Sequence, residues 1–265
     1  MTFRLSKQKT QVNFMYSDKR FILIIVVSLF VTTILFSFSP IKQDNSYHLF
    51  ADSRDLFRLP NFLNLITNLP FLIVGFLGIR LTSSAKLRPQ DNPIKIIYLM
   101  FFSGILLTCL GSSYYHYSPD NSTLFWDRLP MTISFMAFFC VVVGKCVSDR
   151  AGLILLWPLS ALGIISLIYW HSYDDLRPYI LVQFLPILLI PFILWLYNGN
   201  QNNCNFVWLV LGFYLLSKIA ESQDSKVYEN LHFISGHSLK HLLAGLASYI
   251  VYASIKPKQT IEQER

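Results

Sequence analysis

The chain has 265 residues, of which 53% are hydrophobic and 14% are charged, and its formal net charge is +7. Soluble domains are usually about a quarter charged, so this composition argues against a soluble domain and favours one membrane-embedded bundle. The excess of Lys and Arg does not indicate nucleic acid. Basic residues gather in the cytoplasmic loops of membrane proteins, and the chain has no long basic run interleaved with aromatic residues.

Eight apolar runs are candidates for membrane-spanning helices, which need about 20 residues to cross the hydrocarbon core. The runs are 21–39, 61–81, 95–115, 129–148, 151–170, 178–197, 205–221 and 238–255. The run 205–221 is marginal because Lys218 and Glu221 lie at its end. The sequence therefore predicts an all-α, polytopic transmembrane bundle of seven or eight helices.

The first run, 21–39, follows a basic N-terminal stretch and has two interpretations. A cleaved signal peptide would have an apolar core of roughly 7–15 residues followed by a small-residue cleavage site. This run is longer and ends in Phe-Ser-Phe-Ser-Pro. We therefore expect a retained anchor helix.

The distribution of Lys and Arg predicts the orientation of the bundle. Basic residues are concentrated in the N-terminal tail, the 82–95 loop and the C-terminal tail, whereas the other loops mix acidic and basic residues. The positive-inside rule then places both termini in the cytoplasm. The loops on the opposite, non-cytoplasmic face are those near 40–60, 112–128, 171–177 and 222–237.

The four cysteines form no Cys-x-x-Cys pair, and most of them lie inside or beside apolar runs. They are Cys109, Cys140, Cys146 and Cys204. We expect them to be small buried side chains rather than a disulfide framework or a thiolate metal site.

Ionisable residues inside membrane helices are costly and are therefore functional candidates. His237 and His241 are four residues apart, so they share one helical face and one tetrahedral metal could bind both. The pair alone is weak evidence, because histidines with ordinary hydrogen-bond partners are common. Ser112 and His116 have the same spacing, and His116 would complete a three-histidine site with an open fourth position, as in catalytic zinc centres.

Asp127, at the outer start of the 129–148 run, has two interpretations. It could receive a proton from an attacking water, or it could be an ordinary acidic residue stabilised at a helix start. The histidines, Ser112 and Asp127 all fall near the outer ends of three different helices. Scattered core histidines would have no reason to share one depth, so we predict a single metal centre there.

At these residues the sequence resembles the alkaline ceramidase family, which belongs to the CREST superfamily of membrane hydrolases. Three motifs carry the resemblance: Ser-x-x-x-His from Ser112 to His116, an Asp eleven residues later at Asp127, and His-x-x-x-His from His237 to His241. Their order, spacing and placement on the helices agree with the family. Singly none of the motifs is specific, but together they are.

The resemblance also implies a division of the chain, because the family has seven helices. Residues 47–255 would form the seven-helix catalytic bundle. Residues 1–46 would add a basic cytoplasmic tail and an N-terminal anchor helix, and residues 256–265 would form a polar tail.

The chemistry implied by the resemblance is zinc-dependent hydrolysis of a ceramide-like amide, with the lipid substrate drawn from the bilayer. Zinc would be held by His116, His237 and His241. Asp127 would take a proton from the attacking water and pass it to the leaving amine, and Ser112 would donate to the developing oxyanion. The products would be a fatty acid and a long-chain amine.

The segment before the bundle departs from the family. Animal members carry an acidic arm that binds calcium, whereas here Asn61 stands where the family has Glu, and Arg54 and Arg58 add positive charge. Calcium prefers several anionic or carbonyl oxygens, so it is left out of the main prediction despite Asp52 and Asp55. An Asp52–Arg pair folded over the site is an equal alternative.

Two other functions stay open on the sequence alone. One is a receptor-like or lipid-binding membrane protein with a structural zinc, and the other is a hydrolase of another lipid amide or ester. Lys218, Glu221 and Asp224 are either a solvated rim or part of a site for the substrate headgroup. Thr67, with its polar neighbours, is expected to hold helices together.

Overall fold

The computed structural model describes residues 19–197 and 204–257, and all the helices and turns below lie in those ranges. The predicted basic tail, up to residue 18, and most of the predicted polar tail, from residue 258, lie outside the described residues. Within the described part, the regular structure is helical and the only β feature is an isolated bridge between Leu56 and Leu59. The prediction of an all-α bundle is confirmed.

Ten α-helices follow one another along the described chain. They are α1 (Lys19–Ser37), α2 (Phe62–Ile66), α3 (Leu69–Ser83), α4 (Lys95–Tyr117), α5 (Asn121–Cys146), α6 (Asp149–Tyr173), α7 (Arg177–Leu196), α8 (Asn205–Ser222), α9 (Asp224–Leu231) and α10 (Gly236–Ile255). Each of the eight apolar runs coincides with a helix, although the run 61–81 is divided between α2 and α3. Two short 3-10 helices, Asn45–His48 and Pro89–Ile94, lie in the connections.

The predicted start of the fourth run at residue 129 is wrong, because α5 begins eight residues earlier at Asn121. Asp120 is the N-cap, and its carboxylate accepts a hydrogen bond of 2.7 Å from the backbone N–H of Thr123. The Thr123 hydroxyl donates in turn to the carbonyl oxygens of Ser118 and Asp120. Polar residues fill this first turn, so hydropathy alone could not find it.

Six helical segments in the described ranges are long and apolar enough to cross a membrane, by length and composition. They are Lys19–Ser37, Phe62–Ser83, Pro89–Tyr117, Asn121–Cys146, Asp149–Tyr173 and Arg177–Leu196. The long helices α8 and α10 are outside this set, and both carry ionisable residues. The bundle is of the membrane type, and the exact number of crossings stays a prediction.

Helix α5 is central, since it packs against α4, α6 and α7, while α10 packs against α3 and α8. The approach of α4 to α5 is close at Gly111, where an added Cβ would meet the carbonyl oxygen of Trp126. Small residues commonly allow such close helix contacts in membranes. By contrast, α1 lies at the edge of the bundle against α7 and contributes no buried residue.

All four cysteines are buried, as expected, but the expectation that they form no disulfide is wrong for two of them. Cys109 and Cys140 are buried and free. Cys146 and Cys204 form a disulfide that joins the end of α5 to the residue before α8, across 58 residues of sequence. Sequence spacing could not show this pairing, because the two helix ends meet only in the folded bundle.

The segment 38–61, here called the outer arm, crosses one end of the bundle between α1 and α2. Its first part is held by the turn before α7, where the backbone N–H of Leu176 donates to the carbonyl of Ile41 at 2.8 Å. Its middle is held by His48, whose ring nitrogens lie 2.9 Å from the Tyr115 hydroxyl and 3.0 Å from Asn121 Oδ1. The arm therefore lies over the end of the bundle where α4 ends and α5 begins.

Candidate metal centre and catalytic site

Three buried histidines meet beneath the outer arm. His116 comes from the last turn of α4, and His237 and His241 come from the first two turns of α10. The three pairs of ring centroids lie 4.9, 5.0 and 5.0 Å apart. One nitrogen from each ring lies within 4.8 Å of the other two. This is a geometry in which a single ion can bind all three imidazoles.

The unpaired ring nitrogens of His116 fit a metal such as zinc. Both ring nitrogens of His116 are buried and have no hydrogen-bond partner. A buried polar atom without a partner costs free energy, and a metal bond would remove that cost for one of the two. Imidazole nitrogens are common zinc ligands, and three of them leave the open position that catalytic zinc requires. The donor set of this chain therefore fits the metal that the family resemblance implies.

Thr67 orients the third imidazole. Its hydroxyl donates to the carbonyl of Leu63 at 2.6 Å and lies 3.0 Å from His241 Nδ1. A hydroxyl has a single proton to donate, so the Thr67 oxygen accepts from the Nδ1–H of His241. This arrangement favours the tautomer of His241 in which Nε2 is free to bind a metal, a supporting role that is common around metal-bound histidines.

Asp127 and Ser112 line the same cavity as His241, and the volume of that cavity is about 190 Å³. Both side chains are buried, and Oδ1 of Asp127 has no hydrogen-bond partner. The helix-start interpretation of Asp127 loses its support here, because Asp120 caps α5 and Asp127 lies almost two turns further along. The structure therefore places a buried carboxylate with one unpaired oxygen in the cavity that His241 lines.

A network of charged side chains adjoins the triad. The ammonium of Lys240 lies 2.8 Å from Glu221 Oε1 and 3.3 Å from His237 Nε2, and Lys218 also forms an ion pair with Glu221. The side chain of Glu221 is only 13% exposed, so the interpretation of this group as a fully solvated rim is wrong. Sequence reasoning missed Lys240, although a lysine inside an otherwise apolar run, next to a histidine, was a usable signal.

Asp224 holds the start of α10 and the outer arm together. Its Oδ1 accepts from the backbone N–H of His237 at 2.6 Å, and its Oδ2 accepts from the backbone N–H of Ala51 at 2.9 Å. The arm then places the Phe50 ring edge-on against two rings of the triad, 4.8 Å from His116 and 4.9 Å from His237. Phe50 therefore shields the histidines on the side of the arm.

In the outer arm, Asp52 pairs with an arginine, which is the alternative to calcium binding predicted from the sequence. Arg54 donates to both carboxylate oxygens of Asp52 at 2.8 Å, and it also reaches the carbonyl of Phe233 at 2.9 Å. Burial acts to raise the pKa of Asp52, but the hydrogen bonds from Arg54 outweigh it and hold that pKa below its ordinary value. Asp55 is exposed, and Asn61 donates to the carbonyl of His116 at 2.9 Å. Both oxygens of Asp52 are thus engaged by a cation.

The cavity at Asp127 continues into the apolar interior of the bundle. A second, mostly apolar cavity of about 110 Å³ shares part of its lining. The shared residues are Phe71, Thr108, Met131, Gln183, Tyr214 and Ala244. Ligand sites of this kind are mainly apolar with a few polar groups at the reacting end. The pair of cavities can therefore accommodate a hydrocarbon chain whose polar end lies beside Asp127.

Comparison with known families agrees with this site. The model of the ceramidase family matches residues 59–265, which include all the predicted site residues. The match begins just before α2, so the anchor helix α1 precedes it. Comparison with curated proteins gives no match.

Proposed function

The chain belongs to the ceramidase family, and we propose that it is a zinc-dependent membrane amidase that cleaves ceramide-like N-acyl lipids into a fatty acid and a long-chain amine. The observation that carries this proposal is a cluster of three buried imidazoles, one of which, His241, lines the same cavity as the buried Asp127 carboxylate with its unpaired oxygen. Family membership implies an amidohydrolase. The metal, the residue roles and the substrate follow from the resemblance described above and are part of the proposal.

In this proposal His116, His237 and His241 hold the metal. Zinc, when bound, supplies the Lewis acidity that makes water a nucleophile near neutral pH and polarises a carbonyl. Thr67 keeps His241 in the tautomer that can bind the metal, through the 3.0 Å contact with Nδ1. Phe50 and the outer arm limit the access of bulk water to the site.

The proton transfers are assigned to Asp127. Its unpaired Oδ1 accepts a proton from the attacking water, and the water oxygen forms a bond to the carbonyl carbon. Asp127 then delivers that proton to the amide nitrogen, the carbon–nitrogen bond breaks, and the free amine leaves. The Ser112 hydroxyl donates to the carbonyl oxygen as negative charge develops on it, which lowers the barrier to the attack.

The position of the site also supports a proposed topology. The outer arm and the triad share one end of the bundle, and the Lys and Arg distribution assigns that end to the non-cytoplasmic face. We place both termini in the cytoplasm, with residues 47–255 as the catalytic bundle and α1 as a retained anchor. The 38–61 connection then lies at the same membrane face as the reacting groups.

The direct test is hydrolysis by purified full-length protein, with and without a zinc chelator. Release of fatty acid and sphingoid base from a defined ceramide is measured by mass spectrometry, and bound zinc is measured on the same samples. We expect His116→Ala to lose both zinc and turnover. The matched control is His171→Ala, which replaces an exposed histidine and is expected to keep both.

Three results would contradict the proposal. Protein that binds no zinc would remove the metal centre. Protein that binds zinc but cleaves no acyl amide or ester would instead support a receptor-like protein with a structural metal. Cleavage of acyl esters but not of amides would identify a hydrolase of another lipid class.

A further inference from the structure

Arg128 follows Asp127 in α5 and lines the same cavity, yet the mechanism above does not use it. The residue is only 6% exposed. Its guanidinium carbon lies 4.5 Å from the centre of the Trp170 ring and 4.7 Å from that of Tyr179. One terminal nitrogen donates to Gln43 Oε1 at 2.8 Å, and the other, NH1, is buried without a partner.

The charges around this guanidinium leave it without a counter-ion. Glu221 is already engaged by both Lys218 and Lys240. Asp127 lines the same cavity, but it is not an ion-pair partner of Arg128. Among the residues that the structure describes, no carboxylate forms an ion pair with Arg128. A buried cation that lacks a counter-ion is costly, so an anionic ligand would relieve the cost.

We propose that Arg128 binds an anionic group on the substrate, so that the preferred lipids are N-acyl lipids with a carboxylate, phosphate or sulfonate close to the amide. The planar guanidinium fork matches such groups, and the two aromatic rings hold it in place. Arg128 and Asp127 are consecutive residues on one cavity, so the anionic group lies within a few bonds of the amide. This inference rests on the proposed amidase activity and narrows its substrate class.

The test compares neutral and anionic amides that carry the same acyl chain in neutral detergent micelles. One pair is N-palmitoylethanolamine and N-palmitoylglycine, and the other is N-palmitoylsphingosine and its phosphate ester. For the wild-type protein we expect kcat/KM to be about tenfold to a hundredfold higher for the anionic member, as for a charge-assisted bidentate contact. The glycine pair reports on a carboxylate and the phosphate pair on a phosphate ester. A preference within either pair supports the inference, and equal, measurable kcat/KM values within both pairs count against it.

Variants separate ligand binding from a structural role. Arg128→Met is expected to abolish the anionic preference mainly through KM, and Arg128→Lys is expected to keep part of it. Gln43→Ala removes the contact between Arg128 and the arm but leaves the charge, so the preference should persist. If Arg128→Met and Gln43→Ala lower the turnover of all four lipids alike, with the ratio within each pair unchanged, Arg128 only anchors the arm and the inference is wrong.

A binding measurement keeps this inference distinct from the amidase proposal. N-palmitoylglycine is titrated calorimetrically into Asp127→Asn protein, with and without Arg128→Met. Binding that depends on Arg128 supports the anion site even if no amide is hydrolysed by the wild type. Equal hydrolysis of neutral and anionic lipids, together with binding that is insensitive to Arg128, overturns the anion site and leaves the amidase proposal intact.

Discussion

Thr67 is expected to set the zinc affinity through His241 although it does not bind the metal itself. Thr67→Val keeps the shape of the side chain and removes the hydroxyl that lies 3.0 Å from His241 Nδ1. The site is buried, so water does not readily replace the lost partner. Removing such a partner typically lowers metal affinity by about tenfold to a hundredfold, which corresponds to about 1.4–2.8 kcal/mol.

The measurement is competition for zinc between purified protein and a fluorescent chelator of known affinity. Thr82→Val is the matched control, since Thr82 is also a buried threonine and its hydroxyl donates to the carbonyl of Gly78 within the same helix at 2.6 Å. Both variants lose a hydroxyl that bonds a helix carbonyl, but only Thr67→Val loses a contact with the triad. Thr67→Ser keeps the hydroxyl and should bind zinc nearly as tightly as the wild type.

Two results would refute this reasoning. Unchanged zinc affinity in Thr67→Val would mean that the threonine does not orient His241. An equal loss of affinity in Thr82→Val would mean that the effect comes from general destabilisation of the bundle.

Three further predictions address the carboxylate, the helix packing and the arm. Asp127→Asn is expected to retain zinc and to lose about 10²–10⁴-fold in kcat, because the amide cannot accept the proton. Gly111→Ala should lower turnover, since its Cβ would meet the carbonyl oxygen of Trp126 and separate α4 from α5; Gly212→Ala, where nothing lies within 4 Å, is the control for a helix substitution. Because the pKa of Asp52 is lowered, its ionised carboxylate stabilises the folded protein fully at pH values above 3.8, the ordinary pKa of an aspartate. This stabilisation is lost as the pH falls through the lowered pKa. The protection of the outer-arm amides against hydrogen exchange, relative to their intrinsic exchange rates, should therefore fall in strong acid. Asp52→Asn should not show this acid-dependent fall.

The outcomes that contradict these predictions are distinct. Loss of zinc from Asp127→Asn, or full activity, would remove its assigned proton-transfer role. Equal turnover of the Gly111→Ala and Gly212→Ala proteins would show that the close approach of α4 and α5 does not position the catalytic groups. Exchange in the arm that has the same pH profile in the wild type and in Asp52→Asn would show that the Asp52–Arg54 pair does not hold the arm.

The positions of the helices could be predicted from the sequence because the membrane imposes a simple rule. A spanning segment must satisfy its own backbone hydrogen bonds and present apolar side chains to lipid, so long apolar runs predict helices. The rule failed at the start of α5, where polar residues from Asn121 onward belong to the helix but lie at its exposed end. It was also weakest for the run that became α8, because Glu221 and Lys218 are charged and are stabilised by pairing with each other.

The candidate site could also be predicted in part from the sequence, because its residue types are rare in apolar segments. The four-residue spacing places His237 and His241 on one face of any α-helix. Ser112 and His116 have the same spacing, and their shared depth with Asp127 pointed to one centre before the family resemblance implied individual roles. The sequence alone had no means to choose between a catalytic and a capping Asp127. That choice needed the position of the helix start.

What the sequence by itself determined is therefore the helical class of the bundle and the small set of polar residues that could do chemistry, since both follow from local composition and spacing. Only the tertiary structure decided which of those residues meet, that Cys146 joins Cys204, and that Asp52 pairs with Arg54. That no carboxylate among the described residues pairs with Arg128 likewise depends on what the neighbouring helices and the outer arm place around it. Contacts between distant segments are set by packing of the whole bundle, and no local pattern in the chain encodes them.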